Sequence, residues 1–190
     1  MPKTTTIPAS TAAAFSDVTL AKAAGLAADS YSYRPLWVGP SGEESSGEAV
    51  ARHLEATIAL LEKDGWIRAY DSSKEWSAGA DLADDDSMTI KAMLRALIRF
   101  VRDENGTDPQ RTLDTALRHV GEAGTHGDTD TAHVADFVLD LVIQAHTGSD
   151  SARATPWSER QHRTRADITA LLTAGARFAR TYGPAAGQTV

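Results

Sequence analysis

The chain has 190 residues, 42% of them apolar, and no cysteine. That fits a single domain with its own core and excludes disulfides, cysteine–zinc sites and thiol nucleophiles. A net charge of −7 argues against non-specific attraction to nucleic acid or anionic lipid.

No run reaches the roughly 18 apolar residues of a membrane span, and Met1 to Ser10 lacks the apolar stretch of a secretory signal. A cytoplasmic address with no membrane partner is the expectation. Residues 1–16 carry Thr, Ala, Ser and Pro without periodicity and read as a flexible arm. Ser16 or Asp17 can cap a short Ala-rich helix over 18–28, with Leu20 and Leu26 as a thin apolar face. Tyr31, Tyr33, Leu36, Trp37 and Val38 follow in an extended stretch around Pro35 and Pro40, and Gly39 to Gly47 reads as a linker. The implied organisation is an arm and linker over 1–47, a helical domain over 48–183 and a tail over 184–190. Tyr31, Tyr33 and Trp37 form an aromatic patch that either packs on the main domain or docks another protein.

From Glu48, Val50, Leu54, Ile58 and Leu61 recur at helical spacing and predict a helix to Asp64-Gly65. Trp66 to Tyr70 and Lys74 to Trp76, two β-prone runs around a polar turn, suggest a small hairpin near 66–78. Asp84, Asp85 and Asp86 cap a helix that begins near Met88, with Ile90, Met93, Leu94, Leu97, Ile98 and Val101 on one face. Asp108-Pro109 predicts a cap and first turn for a helix with Leu113, Leu117 and Val120 inward, closed by Gly121 and Gly124. Asp130 opens the next, with a stripe of Val134, Phe137, Val138, Leu141 and Val142. Thr164-x-x-Asp167 is a capping-box variant for a final helix with Ile168, Leu171, Leu172, Gly175 and Phe178 inward, ending at Gly183-Pro184. About five helices with short connections predict a mainly α chain packed as a helical bundle.

The charged and aromatic residues offer several candidate sites. His126, Asp128, Asp130 and His133 are potential ligands, but they read equally as a turn and helix cap, and no zinc motif is present. The run Asp81 to Asp86 lacks the alternation and glycine of a calcium loop. No metal, cofactor or catalytic residue is therefore assigned, and no Gly-x-Ser-x-Gly elbow or phosphate loop appears. Lys91, Arg95, Arg99 and Arg102 edge one helix and, with Arg163, could lie along phosphates. Trp66, Trp76 and Trp157 sit at element edges, where Trp locks a loop to the core or lines a pocket. Residues 103–150 hold ten acids and two Arg, while 151–182 hold six Arg and two acids. Such a split suits two faces that complement each other within the fold or between copies.

Three fragments, in order, carry a resemblance: Leu60 to Trp66, ending a helix in Gly-Trp; Trp76-Ser77-Ala78-Gly79-Ala80; and Pro156-Trp157-Ser158-Glu159 leading through Arg163-Thr164 into Asp167 to Leu172. Over about residues 48–180 the chain resembles a small actinobacterial and phage-associated family of unknown function. That family runs from a helix and Gly-Trp, through Cys-Ala-x-Gly, to a Trp-Asn-Asp and Arg-Thr final helix. Ser77 stands where the family has Cys, Ser158-Glu159 replace Asn-Asp, and residues 84–150 are longer and more helical. The resemblance implies a compact helical domain and carries no activity. The leading expectation is a non-catalytic module acting through protein contact or self-association, in a regulatory or mobile-element context. A nucleic-acid-associated protein and a small-ligand binder or enzyme with a Trp-lined pocket are the alternatives.

Overall fold

The computed structural model describes residues 15–30, 35–70, 89–95, 98 and 109–185. Among them, helices run over α1 (Asp17–Ser30), α2 (Gly47–Asp64), α3 (Leu113–Ala123), α4 (Thr129–Thr147), α5 (Ala154–Ser158) and α6 (Arg165–Tyr182), and residues 90–95 are also helical. The architecture is a packed helical bundle, and no sheet forms among the described residues. Tyr31, Tyr33, Trp76, Arg99, Arg102 and the Asp81 to Asp86 run lie outside the described residues, as does the second half of the 66–78 hairpin. The first half pairs elsewhere, since Ile67 N–H donates to the Arg111 carbonyl and Arg111 N–H to the Gly65 carbonyl, both at 3.0 Å.

Local chemistry sets the helix ends. The Ser46 side chain accepts from Ala49 N–H at 3.2 Å to start α2, and Gly65, at φ 90°, stops it. Thr164 and Asp167 form the reciprocal box at the start of α6 that the sequence predicts. The start of α3 differs from expectation. Arg111 spends its backbone on Gly65 and Ile67, so Pro109 to Arg111 stay outside the helix and Thr112 with Thr115 makes the box instead. Gly121 also departs: it lies inside α3, where a Cβ would sit 2.8 Å from the Asp128 carbonyl oxygen. Gly124, at φ 68°, is the left-handed residue that ends the helix.

The centre of the bundle is α4. It touches α1, α2, α3, α5 and α6, so it is buried on nearly every side, and one stripe does not describe it. Val134, Ala135, Val138, Leu139, Val142 and Ile143 are wholly enclosed. Gly175 marks the crossing of α6 with α2 and α4: a Cβ there would lie 2.6 Å from Leu139 Cδ2 and 3.1 Å from Leu54 Cδ1. The first helix joins the same core through Leu20 and Ala23. Phe15, assigned to the arm by sequence, is buried against the rings of His146 and Trp157, at 4.9 and 6.0 Å. The Gly39 to Gly47 run folds as a turn tied to α4 by the Ser41 hydroxyl on the Asp130 carboxylate.

Candidate functional site

Two concavities stand out, and both arise from how neighbouring helices diverge. The first is a cleft of about 240 Å³ between α3 and α4. Capping by Thr112 places Asp114 in the first turn of α3. His133 and Asp136, three residues apart, share a face of α4. Leu117 and Ala132 line the cleft between them, and Arg118 lies on it as well, 3.9 Å from Glu122. His133 Nε2 is buried with no hydrogen-bond partner among the described residues. Burial, and then the charge of Asp114, holds the Asp136 carboxyl above its usual range, against the weaker pull of His133 and Arg153. One turn further, burial pushes Asp140 up to about 6. The Ala154 N–H at 2.7 Å and Arg153 at 3.3 Å oppose that shift, but Arg153 is half exposed and Asp136 adds repulsion. Asp114 and Asp136 thus face one cleft, where the charge of one acts on the other.

The second concavity, about 420 Å³, lies between α1 and α6 and is lined mainly by Ala24, Ala27, Leu36, Trp37, Phe178 and Tyr182. Trp37 stacks on Phe178, 6.3 Å between centroids at 18°, and Phe178 leans on Tyr182 at 5.1 Å. Of the aromatic patch singled out in the sequence, Trp37 therefore lines an apolar cleft.

The three Trp residues proposed for one pocket are not seen together. Trp66 sits at the Arg111 bridge, and Trp157 is buried beneath Arg163, whose guanidinium carbon is 3.8 Å from the ring centroid. Neither lines either cleft. Both indole N–H groups lack a hydrogen-bond partner among the described residues. Arg163 is thus engaged with Trp157 and desolvated there, which lowers its pKa. Lys91 and Arg95 are exposed on the helical stretch.

Of the potential metal ligands, the two carboxylates are occupied otherwise. Asp128 caps α4 by accepting from Thr131 N–H at 2.8 Å, Asp130 holds Ser41, and the His126 carbonyl faces His53 Nδ1 at 3.1 Å. Among the described residues no group of three His, Asp or Glu is placed to hold a metal ion. His53 is fully buried, with Nε2 3.1 Å from the Leu117 carbonyl. His119 is exposed.

The split charge is only partly matched between its two halves. Arg153 meets Asp140, but Arg177 reaches Asp17, and Arg180 clamps Glu48 and Glu55 at 2.9 and 2.6 Å. Among the described residues neither Asp114 nor Asp136 is in a salt bridge. Of the apolar stripe expected from Ile90 to Val101, Leu97 and Val101 lie outside the described residues, and the described members are open to solvent: Ile90 is 85% exposed, Met93 41%, Leu94 56% and Ile98 57%.

Sequence reasoning missed the α3–α4 cleft. Its signal was Asp136 and Asp140 interrupting an otherwise apolar helix.

A family model described as Family of unknown function (DUF6197) matches residues 45–178, from just before α2 to near the end of α6. No curated protein and no solved structure is matched.

Proposed function

The chain belongs to this family, which has no assigned activity, and we propose that it is a helical module working by contact with another protein, in a regulatory setting, through the apolar stripe of residues 90–98. The observation that supports this is the exposure of Ile90, Met93, Leu94 and Ile98 on a helical stretch. Each large apolar side chain left in water forgoes about 1.5–3 kcal/mol that burial would return, and globular domains keep such contiguous patches where something covers them. Lys91 and Arg95 lie on the same stretch and supply charge for steering and register. The Trp37 cleft offers a second apolar surface for a partner side chain.

The test is a double variant, Leu94→Gln with Ile98→Gln, compared with the native chain in binding the dye anilinonaphthalene sulfonate. The native chain should enhance the dye's emission, and the variant should lose most of that signal while keeping its urea midpoint. Unchanged emission would overturn the reading, and so would a large fall in stability, which would place the stripe in the core. Duplex DNA titrated at low and high salt examines the nucleic-acid alternative. A salt-dependent shift abolished by Lys91→Glu and Arg95→Glu would make nucleic acid the partner.

A further inference from the structure

We propose that the partner is a second copy of this chain, with the 90–98 stretch of one protomer seating Arg95 in the α3–α4 cleft of the other. The proposal rests on the contact-face reading above and adds the surface that receives it. Charge complementarity carries the argument. Asp114 and Asp136 line the cleft, and among the described residues neither is in a salt bridge. Arg118, the cation already on this lining, lies 3.9 Å from Glu122 one turn along.

An arginine side chain answers these groups together. Its apolar stem can lie along Leu117 and Ala132, while its N–H donors reach the Asp114 and Asp136 carboxylates. A volume of about 240 Å³ suits one such side chain rather than a whole helix. The apolar stripe would therefore rest across the rim, where Leu94 lies next to Arg95 in sequence and Ile98 one turn on. The cleft offers carboxylates to a cation, and the basic stretch carries an uncovered apolar stripe. A contact between two different patches closes when it is reciprocated about a two-fold axis, so a dimer is the expected assembly.

Sedimentation velocity on the full chain, from low to high micromolar concentration at low and high salt, reads the result. The native chain should dimerise at low salt and dissociate as salt rises. Arg95→Glu and Asp114→Lys should each weaken the dimer by about tenfold or more, since each places like charges together. Both positions are exposed, and urea unfolding of each variant checks that the fold is retained. An equimolar mixture of the two variants should recover a heterodimer. In one of its contacts the introduced acid meets the introduced base, and in the other the native Arg95 and Asp114 are kept. A native chain that stays monomeric throughout overturns the self-association while the dye result above still stands. A dimer lost on Leu94→Gln but indifferent to Asp114→Lys overturns the cleft as the receptor. No recovery on mixing overturns the pairing itself.

Discussion

Asp140 allows the electrostatics of α4 to be measured. Its carboxyl is buried, and its pKa rises from 3.8 to about 6, chiefly because burial penalises the charge. The folded chain therefore holds this proton more tightly than the unfolded chain. The stabilisation is complete below the unfolded value and is lost as pH rises through about 6. At about 1.4 kcal/mol per pKa unit, ionising Asp140 costs the folded state about 3 kcal/mol by neutral pH. Asp140→Asn keeps an oxygen to accept the Ala154 N–H and removes the titration. Urea unfolding of both proteins at several pH values isolates the effect, since groups away from Asp136 and Arg153 titrate alike in each. The stability of the native chain minus that of the variant should fall by about 3 kcal/mol from about pH 3 to about 7. A flat difference, or one that moves in favour of the native chain as pH rises, would refute the argument. It would mean that Arg153 and the Ala154 N–H outweigh desolvation.

Burial lowers the pKa of His53 from 6.5, so its contribution has the opposite sign: it is present above 6.5 and lost as pH falls through the folded value. Against His53→Gln, the native chain should lose stability on acidification, and a pH-independent difference in urea midpoint would contradict this. Gly175→Ala should cost about 1–3 kcal/mol, because its Cβ meets Leu139 and Leu54 in a filled core; a loss under about 0.5 kcal/mol would show that this crossing relaxes freely. Asp128→Ala removes the acceptor for Thr131 N–H and should cost about 1 kcal/mol, seen as a lower urea midpoint with an unchanged slope. An unchanged midpoint would remove the cap from the account.

Much of the helical layout was legible because its signals act over three or four residues. The Thr164–Asp167 box, the glycine stops at 65 and 124, and the inward set Ile168, Leu171, Leu172, Gly175 and Phe178 all stand in the structure as the spacing predicts. The start of α3 was misread because Asp108-Pro109 is a good local cap, and the competing backbone partner lies some forty residues earlier at Gly65 and Ile67. The stripe at 90–98 has correct helical spacing but is exposed, since periodicity reports that a face is apolar and not what covers it.

The candidate cleft shows the same boundary. In a helix read as starting at Asp108-Pro109, Asp114 carries no mark of its own, and Asp136 is a polar position on a largely apolar helix. Neither reading says that the two carboxylates and His133 converge, or that desolvation will raise a pKa there. Tertiary structure likewise decided that His53 lies between the Leu117 and His126 carbonyls, and that Arg180 clamps Glu48 and Glu55. The sequence by itself determined most of the helices, the Thr164–Asp167 box and the glycine stops, because dihedral preference and capping are local. Packing decided which faces meet and which charges lose water, because those energies depend on neighbours that are distant in the chain and become adjacent only on folding.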